Sequence, residues 1–74
     1  MEKTLRYLKN GETGIISRVN GHGPVKRRII DMGVVPGTSV TMVKCAPLGD
    51  PLEIKVKGFN LSLRKNEAAL IELI

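Results

Sequence analysis

The feature that most constrains this chain is a pair of alternating runs that meet at Lys57-Gly58. On one side Leu52, Ile54 and Val56 alternate with Glu53, Lys55 and Lys57; on the other Phe59, Leu61 and Leu63 alternate with Asn60, Ser62 and Arg64. Successive side chains of a strand point to opposite faces, so each run offers one face to a core and the other to water. Only Lys57-Gly58 remains to connect them, which predicts a tight hairpin.

Gly14 to Val19, Ser39 to Ala46 and Leu70 to Ile74 are further short runs rich in Val, Ile, Leu and Thr, set apart by glycine or proline. From Ser39 the pattern changes phase, because Val40 and Met42 share one face while Val43 and Cys45 share the other; a bulge or sharp bend accounts for this. The exception to strand periodicity is Val25-Lys26-Arg27-Arg28-Ile29-Ile30-Asp31-Met32, between Gly23-Pro24 and Gly33. Pro24 suits a first helical position, Gly33 suits a left-handed C-terminal cap, and Val25, Ile29 and Met32 recur on one face at helical spacing. Two turns of helix are marginal alone, so packing must hold them. The fold class read from these patterns is mainly β: a small, partly open barrel of about five strands resembling an SH3 domain, with one short α-helix, Pro24 to Met32, inserted between the first and second strands. The core expected on this reading is Ile16, Ile29, Val40, Leu52, Ile54, Val56, Phe59, Leu61, Leu63 and Ile71, each on the apolar face of its element.

A chain of 74 residues is expected to form a single domain spanning 1–74, burying roughly 60% of its unfolded surface. Such a core leaves little room for a cleft and the supporting side chains that catalysis requires. No serine or cysteine can be matched with a base and an orienting group where His22 is the one histidine. Asp50 and Glu53 read as a turn residue and a solvated strand residue. Gly21-His22-Gly23-Pro24 lacks the long glycine loop and closing Lys-Ser/Thr of a phosphate cradle and reads as a plain turn. His22 and the single cysteine, Cys45, lie in a loop and a strand without neighbouring ligands, as an exposed loop residue and a small apolar strand residue. No catalytic residue, cofactor or metal site is therefore expected. One cysteine makes no internal disulfide, which fits a reducing compartment. No apolar stretch approaches the roughly 18 residues of a membrane helix, and the first residues lead into no signal-peptide core. A cytoplasmic location without direct membrane insertion is expected.

The formal charge is +5, from twelve Lys and Arg against seven Asp and Glu. It favours acidic partners in general: RNA, an anionic membrane surface, or an acidic protein face; it also serves solubility. Against nucleic acid stands the lack of a stacking platform, since Tyr7 and Phe59 are the only aromatic residues. The same scarcity argues against an aromatic groove for proline-rich peptides. The helix places Lys26, Arg27 and Arg28 in its first turn and Asp31 near its end, the reverse of what its dipole favours, at about 0.3 to 1 kcal/mol per exposed charge. Arg27 and Asp31 are four apart in the weaker orientation and recover only part of this. Two readings remain open: Arg27 or Arg28 bonds carbonyls or carboxylates within the barrel, or these cations dock an acidic partner. Leu48, among the turn residues Pro47-Leu48-Gly49-Asp50-Pro51, either folds over an open end of the barrel or anchors an interface. On the interface reading the candidate partner-binding residues are Arg27, Arg28, Asp31, Met32, Pro47 and Leu48.

The stretch from Val25 through Asp31-Met32-Gly33-Val34-Val35-Pro36-Gly37-Thr38 closely resembles the signature of the ferrous iron transport protein A (FeoA) family, in which a basic, apolar helix ends in Asp-Met-Gly and a Pro-Gly turn. The likeness continues through Ala46-Pro47-Leu48-Gly49-Asp50-Pro51 and Leu61-Ser62-Leu63-Arg64-Lys65-Asn66-Glu67-Ala68-Ala69-Leu70-Ile71. Leu5-Arg6-Tyr7-Leu8-Lys9-Asn10-Gly11-Glu12 resembles the family's opening, with Asn10 where proline is more usual. The resemblance implies an SH3-like barrel without catalysis, acting in the bacterial cytoplasm beside FeoB, the membrane ferrous iron transporter with a cytoplasmic G-protein domain, and binding, supporting or modulating it. A related domain ends iron-dependent repressors of the diphtheria toxin repressor type. Here the barrel follows Met1 almost directly with no helix-turn-helix before it, so a free-standing accessory protein is expected. The alternatives are a basic barrel binding RNA or an anionic membrane surface, and an iron-responsive regulatory domain.

Overall fold

The computed structural model describes residues 3–45 and 50–74. Its strands are β1 (Lys3–Thr4), β2 (Thr13–Val19), β3 (Ser39–Cys45), β4 (Leu52–Val56), β5 (Phe59–Leu63) and β6 (Ile71–Leu73), with helices α1 (Gly23–Asp31) and α2 (Lys65–Ala68) and a 3-10 turn over Leu5–Tyr7. All pairings are antiparallel, in the order β1-β6-β2-β3-β4-β5. The two outer strands do not pair with each other, so the barrel is partly open. β2 serves both halves of it: Thr13, Gly14 and Ile15 pair with β3, while Ile16, Arg18 and Val19 pair with β6, with a register shift between Ile16 and Arg18. Such irregularities bend a strand and let one sheet curl around a single core.

The hairpin forms as its alternation predicts. Val56 pairs with Phe59 across Lys57-Gly58, and both turn residues have positive φ, 52° and 84°. That is a type I′ turn, whose twist matches that of the flanking strands. The phase change in β3 is likewise a bulge: the register slips between Met42 and Lys44, leaving Val40 and Met42 buried and Val43 and Cys45 exposed. α1 lies between β2 and β3 and its end is the expected glycine cap, with Gly33 at φ +92° and its N–H donating to the Ile30 carbonyl.

Three parts of the reading need correction. Among the described residues there are six strands, because Lys3 and Thr4 pair with Leu73 and Glu72; so short a strand carries no periodicity. Phe59 is 72% exposed, not core, and Leu61 is only partly buried, packed against the core. Alternation assigns a face but not a depth: burial along β5 rises from the turn toward Leu63, which is 1% exposed. Val25, expected on the inner face of the helix, is 44% exposed, and α1 holds the core chiefly through Ile29. The remaining expected residues are buried, joined by Leu5, Leu8, Val19, Val34, Met42, Ala68 and Leu73.

Candidate functional site

α1 is held from below and open above. Ile29 is fully buried, Met32 packs against the core, and Val34 follows the cap as another buried residue whose N–H donates to the Ile29 carbonyl at 3.3 Å. At the other end His22, in extended backbone, places no side-chain cap on the first turn, and Gly23 enters the helix at φ +74°. A proline in the first turn leaves one fewer N–H to satisfy there. The outward face carries Lys26, Arg27, Ile30 and Asp31, which with Gly23 line a shallow hollow of about 360 Å³. Ile30 gives this charged surface an apolar centre with 39% of its area exposed.

The two arginines next to one another have different fates. Arg28 Nη2 lies 3.2 Å from Glu67 Oε2 and donates to Oε1 at 3.3 Å, joining α1 to α2. The Glu67 side chain is 7% exposed and the Arg28 side chain 56%, so the pair sits at the rim, where solvent screens it and its net worth is about 1 kcal/mol or less. Glu67 has a second task, accepting the Arg64 backbone N–H at 2.8 Å, which closes the start of α2 from its third residue. Asp50 adds to that end by accepting the Lys65 N–H at 3.1 Å. Arg27, by contrast, meets no carboxylate among the described residues and stays in solvent. Of the two readings of the helix cations, internal pairing describes Arg28, and an outward-facing charge describes Arg27.

Among the six sequence-derived candidates, Arg27 and Asp31 share the outer face of α1, Arg28 is turned toward Glu67, and Met32 closes the helix against the core. Pro47 and Leu48 lie outside the described residues. Sequence reasoning missed Ile30, which follows from helical geometry one position off the Ile29 stripe, and Glu67, whose approach to Arg28 across 39 residues has no local signal. His22 and Cys45 are both exposed, and among the described residues no group of three His, Cys, Asp or Glu side chains is placed to hold a metal ion. Nor is any helix among them long and apolar enough to cross a membrane.

Comparison with known proteins places this geometry in a family. The FeoA domain model matches residues 3–74. A fusion of Fe(2+) transport protein A with the Fe(2+) transporter FeoB, from Porphyromonas gingivalis, is 44% identical over 69 residues, which are 93% of this chain and 8% of that protein. The solution structure of iron(II) transport protein A from Clostridium thermocellum superposes with a TM-score of 0.90 at 40% identity, over 95% of this chain and 43% of that one. Zinc-complexed FeoA from Stenotrophomonas maltophilia, described as a procaryotic SH3 domain protein, has a TM-score of 0.84 at 28% identity and covers 96% of this chain and 88% of its own. The partly open barrel is thus SH3-like, and the chain belongs to the FeoA family.

Proposed function

We propose that this chain is a non-enzymatic accessory protein of bacterial ferrous iron transport, a single domain acting in the cytoplasm by binding the G-protein-bearing part of a FeoB-like transporter. The observation that carries this reading is the relative in which an FeoA segment and FeoB share one polypeptide. Fusion holds two modules at high effective concentration, which is useful when they bind each other. The outer face of α1 supports it: Ile30 is an apolar contact set among Lys26, Arg27 and Asp31, the arrangement of an interface centre with a charged surround. Arg28, Met32, Pro47 and Leu48 complete the proposed contact, with Arg28 also serving the barrel through Glu67.

Calorimetry of the chain with the purified cytoplasmic region of the FeoB-like transporter of the same bacterium tests this reading. Arg27→Glu and Ile30→Ser are expected to weaken binding by about 1 to 3 kcal/mol while the melting temperature stays within about 3 °C. Both side chains are exposed, which separates binding from folding more cleanly than Arg28 could. Absence of binding by the parent chain, together with steep log-linear salt dependence on RNA or anionic vesicles, would instead establish the polyanion reading.

A further inference from the structure

β5 is the last strand of the sheet. In a two-residue hairpin the residues flanking the turn form a hydrogen-bonded pair, and bonded and non-bonded pairs then alternate. Val56 with Phe59, Ile54 with Leu61 and Leu52 with Leu63 are therefore the bonded pairs. The backbone N–H and C=O of Asn60 and Ser62 point away from β4, and no turn or loop among the described residues bonds them. Proteins usually blunt such an edge with a charge, a proline or a bulge. Phe59-Asn60-Leu61-Ser62-Leu63 has no charge and no proline, and its register with β4 is unbroken.

Both faces of this edge are half-built. On the inner face Phe59 is 72% exposed and Leu61 is partly buried, so the apolar row is uncovered at its outer side. On the other face the row Asn60, Ser62 continues into Arg64, whose backbone is still extended at φ −76° and ψ 153°. Lys55 stands opposite Asn60 in the register, and at the far end Arg28 and Arg64 line a cleft with Ser62, Asp50 and Pro51. The carboxylates here are Glu53, opposite Ser62; Asp50, which already accepts the Lys65 N–H; and Glu67, which pairs with Arg28. With Arg28 held by Glu67 and Asp50 by the Lys65 N–H, Lys55 and Arg64 remain against Glu53 alone, in keeping with the net charge of +5.

We propose that β5 takes up, by strand addition, an extended segment of a partner protein in which apolar and acidic residues alternate. The segment's backbone pairs with Asn60 and Ser62, its apolar side chains extend the row of Phe59 and Leu61, and its carboxylates face Lys55 and Arg64. This deepens the adapter reading by giving the partner segment's chemistry, and rests on that reading only for which protein supplies it.

The test titrates the isotope-labelled chain with an octapeptide alternating valine and glutamate, so that it stands apart from any experiment with the transporter. Saturable shifts centred on the Asn60 and Ser62 amides are expected, with a Kd below about 1 mM and slowed hydrogen exchange at both. Ser62→Pro removes an outward N–H without touching the ladder and is expected to weaken binding about tenfold or more, whereas Ser62→Ala keeps it within about twofold. The exchange measurement needs no variant and stands if Ser62→Pro fails to fold. Equal binding of an all-glutamate peptide or of the valine–lysine analogue, shifts centred on α1, a concentration-dependent dimer through β5, or no binding of the octapeptide would each overturn the proposal.

Discussion

β5 and β6 are read from the same kind of sequence, short runs with apolar residues at every second position, yet the barrel treats them differently. β6 has β1 on one side and β2 on the other, and Ile71 and Leu73 are both completely buried. β5 has a neighbour on one side only, and its apolar row passes from exposed Phe59 through partly buried Leu61 to buried Leu63. The difference teaches that alternation sets which face a residue occupies, while the number of neighbouring strands sets how much water that face loses. A strand with an uncovered row and an unpaired edge is also where a partner can still add contacts, and a central strand has none left to offer.

The largest expected effect sharpens this contrast from the β6 side. Leu73→Ala empties a site enclosed by β1, β2 and the core, and is expected to cost about 2 to 5 kcal/mol in urea unfolding, a large share of the stability of so small a domain. A smaller loss, below about 1 kcal/mol, would mean that β6 relaxes as freely as an edge.

Within β5 the series should fall off toward the turn. Leu61→Ala is expected to cost about 1 to 2 kcal/mol, below the range for a fully enclosed leucine, and Phe59→Ser to stay within about 0.5 kcal/mol of the parent. Thermal melts of the two variants side by side would break the comparison if Phe59→Ser proved the costlier.

The smallest effect belongs to the turn that starts β5. Lys57 holds φ at +52°, a conformation that asparagine adopts more readily than lysine. Lys57→Asn is expected to raise stability by about 0.5 kcal/mol without changing the Val56–Phe59 register, as melting temperature and amide shifts would show. A loss of stability would show that the lysine side chain contributes more than its backbone costs; Lys57 lies 3.9 Å from where a Cβ on Gly33 would stand.

Much of the fold was legible because its signals are local. Alternation placed β3, β4, β5 and the hairpin, a phase slip located the bulge at Val43, and Pro24 with Gly33 bracketed α1 to within a residue. β1 and α2 were not legible, because two and four residues are too few to show a period. The candidate site was legible in part: Arg27 and Asp31 share the outward face of α1, but Ile30 between them went unread, and Pro47 and Leu48 lie outside the described residues.

By itself the sequence determined the strand alternation, the glycine turns, the helix stop and the family signature, since each depends on residues a few positions apart. Only the tertiary structure decided that Arg28 turns to Glu67 while Arg27 stays in solvent, and that Leu63 is buried while Phe59 is not. Those outcomes depend on which elements become neighbours, and burial and ion pairing are properties of surroundings that a one-dimensional pattern does not contain.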